Sequence, residues 1–406
     1  MNTAASRRAY AGPPLFSIGF RPFFIVACAW PAATVPIWVL AWLGIEPFAG
    51  AVTRDWHVHE MLFGYLAAVM AGFLLTAIPN WTGRLPVIGW PLAALVGLWV
   101  AGRIAMVISP TTLWASAVDT LFLMVFAGVI WREVLTGRNW RNLPVAFLVS
   151  LLAIANIGIH LRASAPDIAA GAERLALGAA AVMIALIGGR VTPSFTRNWL
   201  IKLGAASLPA PMSKFDVAVI ATTGAAVAAW ILAPDSRVTG VVLVAAGGAN
   251  LIRLTRWKGL ATLSEPLVWI LHAGYAWLGL GLLGIGAAAL APGAFPRSAG
   301  IHALTVGAIG VMTLAMMTRA TRGHTGRSLE TGPYTLAIYL LANLAAVARV
   351  AAALAPDQQP LLLAASSLAW SGAFAMFLLV YGPMLVGPRV TVRGAAPTAA
   401  PERLAV

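Results

Sequence analysis

The stretch Trp56-His57-Val58-His59-Glu60-Met61-Leu62-Phe63-Gly64-Tyr65 places two histidines and a carboxylate at the start of a long apolar run. The run continues to Ile78 and stops at Pro79-Asn80-Trp81-Thr82-Gly83-Arg84. About 20 apolar residues are enough to cross a bilayer as a helix. Ionisable groups at the threshold of such a helix are costly, so a functional role is the first hypothesis for them.

The composition extends the membrane interpretation to the whole chain. Of 406 residues, 60% are hydrophobic and only 10% are charged, and the mean hydropathy is +0.85. The net charge of +14 arises from 27 Lys and Arg against 13 Asp and Glu, but the basic residues lie in short loops instead of forming a nucleic-acid-binding face. The single cysteine, Cys28, excludes a disulfide within the chain. The sequence therefore predicts an all-α, polytopic integral membrane protein.

Hydropathy and the positions of proline predict twelve transmembrane helices in one domain covering residues 1–406. The predicted spans are about 22–43, 57–78, 88–108, 112–131, 143–162, 170–189, 214–233, 236–255, 264–287, 298–319, 332–354 and 360–385. If the N-terminus is cytoplasmic, 20 of the 27 Lys and Arg residues fall on that side. The positive-inside rule then predicts that both termini are cytoplasmic, in short tails of about 1–20 and 387–406.

Five of the six histidines lie within or at the end of a predicted span. With this orientation four histidines lie near the outer side of the membrane. His57 and His59 are at the start of the second span, His302 is one turn into the tenth, and His160 is at the end of the fifth. Three helices thus offer imidazole at one level. The other two histidines are His272, deeper in the ninth span from the cytoplasmic side, and His324, in a predicted basic loop over 318–327.

Imidazoles from facing helices inside a bundle are typical of haem or copper ligation. His57 and His59 are two residues apart and should point to different faces, whereas Glu60 shares the face of His57. We expect one histidine to be a ligand and Glu60 to accept a hydrogen bond from a ring N–H. The alternatives are boundary histidines beside Trp56, and for His302 an interhelical hydrogen bond to Ser or Thr.

Three further groups of polar or sulfur-containing residues each allow two interpretations. Arg103 and Asp119 lie at similar distances from Pro110, which predicts a buried ion pair, with a proton relay as the alternative. The stretch 188–198 is expected to end the sixth span, where Arg190 can bind haem propionates or anchor the helix to lipid headgroups. Methionines near the end of the tenth span can bind copper or simply fill gaps between helices; they are Met312, Met316 and Met317.

Four stretches together resemble the NnrS family of bacterial membrane proteins over essentially the whole chain. They are Phe20-Arg21-Pro22-Phe23-Phe24; residues 56–64 with Asn80-Trp81-Thr82-Gly83-Arg84; residues 188–198; and residues 302–307 continuing through 316–327. The resemblance implies a haem- and copper-containing protein of the inner membrane. It further implies a connection with nitric oxide and nitrosative stress, often beside denitrification genes.

We therefore predict a haem b protein that lessens nitric oxide toxicity by binding the gas or by redox chemistry near the periplasmic face. His59 and His302 are the predicted iron ligands, and His57 is the exchangeable or copper-linked partner. The remaining metal candidates are His160, His272 and His324. Haem-copper oxidases likewise draw low-spin haem ligands from their second and tenth helices, but spans six to eight here have no histidine for the oxidase copper centre.

Other classes of protein stay open at this point. Twelve spans and a charge pair within the membrane also suit a secondary transporter without a metal cofactor, although no inverted repeat is evident. A metal-free stress protein that docks on respiratory complexes is a third class. The expected partners are nitric oxide, the lipid bilayer and a respiratory electron donor, and the sequence leaves open whether the protein is an enzyme.

Overall fold

A computed structural model describes residues 10–45, 47–48 and 52–390. All twelve predicted spans are confirmed as helices long and apolar enough to cross a membrane, and the described residues contain no β-strand. The helices are α1 (Phe20–Trp42), α2 (Arg54–Thr82), α3 (Trp90–Ile108), α4 (Leu113–Thr136), α5 (Trp140–Ile159), α6 (Pro166–Lys202), α7 (Lys214–Leu232), α8 (Arg237–Thr255), α9 (Pro266–Leu290), α10 (Arg297–His324), α11 (Pro333–Leu354) and α12 (Pro356–Val386). Most of both predicted tails lies outside the described residues.

Every fourth helix lies inside the bundle. In their most apolar segments α2, α6 and α10 are 83%, 61% and 67% buried, against 33–56% for the other nine spans. Neighbouring helices in the chain pack side by side around them, and α12 packs against α1. The three helices that carry the polar motifs of the sequence are therefore the three that are shielded from lipid.

These three interior helices also share a departure from α-helical geometry. Each contains a π-helical segment, at Glu60–Leu66 in α2, Ile184–Gly188 in α6 and Ala303–Gly310 in α10. A π turn widens the helix by one residue and is common at functional sites. In α2 and α10 the π segment begins directly after a histidine, so it changes the direction of every side chain that follows.

Two helix ends predicted from sequence are wrong. The helix α6 does not end at the predicted Gly189 but continues through Pro193 to Lys202, and α10 continues to His324, which is a helical residue instead of a loop residue. Glycine and proline are weaker helix breakers in a membrane, because neighbouring groups satisfy the backbone that they free. Here Arg253 Nη1 donates a 2.8 Å hydrogen bond to the carbonyl of Ala185 in the π segment of α6.

The buried Arg21 joins the first helix to the last. Its Nη1 donates hydrogen bonds of 2.7 Å and 2.6 Å to the carbonyls of Leu385 and Gly387, at the end of α12. An arginine in this position satisfies carbonyl groups that a helix end leaves without a partner. The Phe20-Arg21-Pro22 motif is thus explained by closure of the bundle.

Close approach of α9 and α10 positions His302. A Cβ atom added to Gly284 would lie 2.8 Å from the Cα atom of Gly300, and one added to Gly281 would lie 2.8 Å from the backbone nitrogen of Leu304. Only glycine allows two helices to pack so tightly. This contact fixes the start of α10, where His302 lies, against α9.

Candidate functional site

The two histidines at the start of α2 enter different environments. Thr53 caps the helix by accepting a 3.1 Å hydrogen bond from the backbone N–H of Trp56, so the first turn is fixed. His57 then lines a cavity, whereas His59 is buried in a cluster with residues of α4. The predicted divergence of the two side chains agrees with this arrangement.

The cavity has a volume of about 470 Å³ and is lined by residues of α1, α2, α6, α10, α11 and α12. Its walls are mainly apolar, and both His57 and His302 line it. This volume falls in the range of about 300–1,000 Å³ that is usual for cofactor and small-molecule sites. The structure thus brings together His57 and His302, one from each of two interior helices.

His302 presents an available nitrogen to this cavity. Its Nδ1 lies 2.7 Å from the carbonyl oxygen of Ser298, which can only accept, so Nδ1 carries the hydrogen. In the neutral ring the lone pair is then on Nε2, and no hydrogen bond reaches Nε2 from any described residue. A backbone carbonyl on one nitrogen and a free lone pair on the other is the usual state of a metal-ligating histidine.

His57 is less firmly held. Its ring stacks on Trp38 with centroids 5.2 Å apart and planes 15° apart. Its Nδ1 is buried and has no hydrogen-bond partner among the described residues. A buried polar atom without a partner is costly, which indicates a ligand as the missing partner.

The cavity also carries unbalanced positive charge. Arg54, Arg297 and Arg349 line it with one acidic residue, Glu173, and Arg297 is paired with Asp235 outside the lining. Glu173 is already paired, because Arg54 Nη2 lies 3.0 Å from its Oε2 and Arg162 contacts its other oxygen. Arg349 has no ion pair or hydrogen bond among the described residues, and its Nη1 is buried. The cavity therefore suits an occupant that carries a carboxylate or another anion.

His59 lies apart from the cavity, in a buried polar cluster between α2, α3, α4 and α5. Its Nδ1 lies 2.9 Å from Glu60 Oε1, and its Nε2 lies 3.0 Å from Asp119 Oδ2. His160 Nε2 also lies 3.0 Å from Asp119 Oδ2. Glu60 does accept from a histidine ring as predicted, and the ring is that of His59.

Arg103 holds the two carboxylates of this cluster. Its Nη1 donates a 2.6 Å hydrogen bond to Glu60 Oε2, and its Nη2 donates to Asp119 Oδ1. The structure contains the buried Arg103–Asp119 pair predicted from sequence. Carboxylate oxygens only accept, so both nitrogens of His59 donate when Glu60 and Asp119 are ionised, and the four charges then sum to zero.

The cluster could also hold a metal ion. One ligand atom each from His59, Asp119 and His160 lie within 4.8 Å of one another. Two imidazoles and a carboxylate form a donor set that suits several first-row transition metals. Binding would displace the ring hydrogens that now face Asp119. The sequence analysis did not place Asp119 beside the histidines, and similar depth in adjacent spans was the only signal for it.

Three other residues predicted at a cofactor or metal site lie elsewhere. Arg190 lies 17 residues beyond Glu173 along α6, roughly 25 Å away. Arg190 does not line the cavity, and its predicted contact with haem propionates stays a prediction. His272 has its Nε2 2.8 Å from Thr196 Oγ1 and packs beside Trp257, without a second imidazole. His324 contacts the ring of Phe20, with centroids 5.6 Å apart.

Comparisons with known proteins agree with this architecture. The family model described as NnrS protein matches residues 14–389, which includes all twelve helices. A search of curated proteins gave no match.

Proposed function

Because the chain belongs to the NnrS family, we propose that it is a haem- and copper-containing protein of the bacterial inner membrane that lessens the toxicity of nitric oxide. Family membership suggests a membrane protein of the nitric oxide response. Twelve membrane-length helices agree with a multi-pass protein. The finer assignment, to a haem iron near the predicted periplasmic face, is argued below from the cavity.

The observation that carries the proposal is the pair of imidazoles in one cavity. His57 and His302 come from different helices and line the same space of about 470 Å³. His302 has a fixed tautomer with a free Nε2 lone pair, and His57 has a buried nitrogen without a partner. Both residues fit the two axial ligands of a haem iron. We therefore assign iron ligation to His57 and His302, and not to His59, which lies outside this cavity, in the cluster with Glu60 and Asp119.

The charges of the cavity fit the rest of the cofactor. A haem carries two propionates, and a buried guanidinium without a partner is a suitable donor to a carboxylate. Arg349 is such a guanidinium, and Arg54 and Arg297 lie nearer the solvent. The pairing of Glu173 with two arginines leaves Arg349 available. Because Arg54 and Arg297 are already paired with carboxylates, Arg349 is the donor that we propose for a propionate.

When bound, the haem would supply an iron that binds nitric oxide once one axial position is open. The two histidines differ in how firmly they are held. His302 is oriented by the Ser298 carbonyl, whereas His57 has only its stacking contact with Trp38. We therefore propose that His302 would be the firmly held ligand of the iron and His57 the weakly held one.

For copper, the best candidate is the cluster of His59, Asp119 and His160. A monovalent cation that replaces one ring proton would leave the net charge of the buried cluster unchanged, which favours Cu(I) over a divalent ion. Arg103 and Glu60 would stay in place and orient the ligands.

Optical spectra and metal analysis of the purified protein test both assignments. The wild type should show a b-type Soret band, a shift on addition of nitric oxide, and both iron and copper. His302→Ala should lose the haem, whereas His57→Ala should keep it with an open position and bind nitric oxide faster. His160→Ala should lose copper and keep the haem.

His272→Ala is the matched control, because His272 is also buried in an interior region but lies outside both sites. It should keep the wild-type spectrum and metal content. Full haem retention with an unchanged spectrum in His302→Ala would overturn the iron assignment. A colourless and iron-free wild type, prepared with haem supplied, would favour the secondary transporter instead.

A further inference from the structure

A second, smaller cavity lies in the middle of the bundle. It has a volume of about 90 Å³ and lies between α1, α2, α6 and α10. Five methionines line it, which are Met70, Met183, Met312, Met316 and Met317. Thr313 is the only lining residue with a polar side chain, and its hydroxyl is already engaged with the carbonyl of Ile309 at 2.7 Å and with Tyr65.

A cavity of this kind favours apolar gas over water. A water molecule needs two to four polar partners, whereas dry apolar cavities bind small apolar molecules and xenon. The walls here offer no unengaged polar group among the described residues, and the volume exceeds that of one small molecule. The predicted gap-filling role of the methionines is thus incomplete, since they leave space between them.

The position of the cavity connects it to the π segments and to the first cavity. Leu66, Gly188 and Ile309 each belong to one of the three π segments, and all three line it. Ile309 lines both cavities, and Tyr65, which lines the first, contacts Thr313 of the second. A single layer of side chains therefore separates the two spaces.

The second cavity is also open to entry from outside the bundle. Met70, Phe73 and Ile187 line it and are partly exposed, on the side between α2 and α6. A small uncharged gas dissolves in the hydrocarbon of the membrane and can enter there without crossing a polar layer.

We propose that this second cavity is a holding site for a small uncharged gas, from which the gas passes Ile309 into the cavity of His57 and His302. If the proposed function holds, the gas is nitric oxide. The protein then collects its ligand from the membrane interior, and the charged mouth formed by Arg54, Glu173 and Arg162 is not the route of entry.

Xenon binding to the purified full-length protein tests the cavity without reference to haem. Gly188→Leu should fill it, because even the first added carbon would lie 3.3 Å from Met312 Cε. The wild type should show saturable xenon binding by ¹²⁹Xe NMR, and Gly188→Leu should lose it. Gly128→Leu is the matched control, since a Cβ at this exposed glycine of α4 meets no atom within 4 Å.

Nitric oxide association, measured by stopped flow, tests the route. Gly188→Leu should slow it several-fold, Gly188→Ala should slow it less, and Gly128→Leu should leave it unchanged. Equal xenon binding in wild type and Gly188→Leu would overturn the holding site, and an unchanged association rate would overturn the route. Absence of haem would contradict the proposed function while the xenon result still decided on the cavity. Gly188→Ala adds one methyl group and keeps the test valid if the leucine variant does not fold.

Discussion

His57 and His59 are two residues apart in the sequence but belong to sites of opposite chemistry. His57 lines the cavity, and His59 belongs to the buried polar cluster. In the cluster, hydrogen bonds join Arg103, Glu60, Asp119 and His59, and their charges balance, although Arg103 Nε has no partner among the described residues. In the cavity, His57 and Arg349 each keep a buried nitrogen without a partner. The cluster is therefore stable without a metal ion, which could enter only by displacing a proton, whereas the uncompensated charge of Arg349 in the cavity indicates a molecule that is still to bind.

The largest expected effect is the loss of stability caused by a substitution in the cluster. Arg103→Ala leaves two buried carboxylates without their shared guanidinium, and breaking a buried ion pair in this way costs about 3–5 kcal/mol. We expect a large loss of thermal stability in detergent, measured by loss of the monodisperse peak after heating. Arg103→Ala with wild-type stability would contradict the interpretation of the cluster as a satisfied structural network.

In the cavity, we expect a smaller effect on the stability of the haem-free protein, and of the opposite sign. Arg349→Gln removes a charge that has no partner among the described residues, so the haem-free protein should be as stable as the wild type or more stable. Haem should bind more weakly, by about 1.5–3 kcal/mol for a lost hydrogen bond to a charged group. The haem dissociation rate, measured by transfer to a haem acceptor protein, checks this prediction. A destabilised haem-free protein with normal haem retention would show that Arg349 belongs to the structural class of Arg103.

The smallest expected effect concerns how firmly His57 is held. Trp38→Leu removes the ring stacked on His57, and such aromatic contacts are worth about 0.5–1.5 kcal/mol beyond their buried area. The equilibrium for release of His57 should shift by about two- to tenfold toward the open form, as seen in the fraction of high-spin haem. Trp99→Leu, next to the cluster, is the matched control. Equal high-spin fractions in the two variants would mean that the stack does not hold His57.

The sequence predicted the helices better than their ends. Hydropathy located all twelve because each must cross the same apolar thickness. The continuation of α6 through Gly188 and Pro193 was missed, because local rules treat these residues as breaks and cannot include the distant Arg253, which binds the Ala185 carbonyl in the π segment. The ends of the helices depend on contacts that only the folded bundle provides.

The candidate site was only partly predictable from sequence, because most of its contacts also form only in the folded bundle. Similar distances from Pro110 were enough to predict the Arg103–Asp119 pair, because a short connection places two antiparallel helices side by side. The spacing of His57 and His59 predicted different faces but not which partners each face meets. Arg349 was overlooked because an arginine near the end of a span is normally used only to assign the orientation of the helix. The structure shows that no acidic side chain among the described residues pairs with it.

The contact of Arg21 with the end of α12 has a consequence for biosynthesis. The guanidinium belongs to the first helix made, and its acceptor Leu385 follows 364 residues later. At translation rates of about 5–20 residues per second, roughly 20–70 s pass between the synthesis of Arg21 and that of its carbonyl partners. During that time a charge that is costly in lipid must be accommodated by water or by the insertion machinery. The last helix to leave the ribosome therefore completes the environment of the first, and a chain truncated before α12 would keep that charge exposed to quality control.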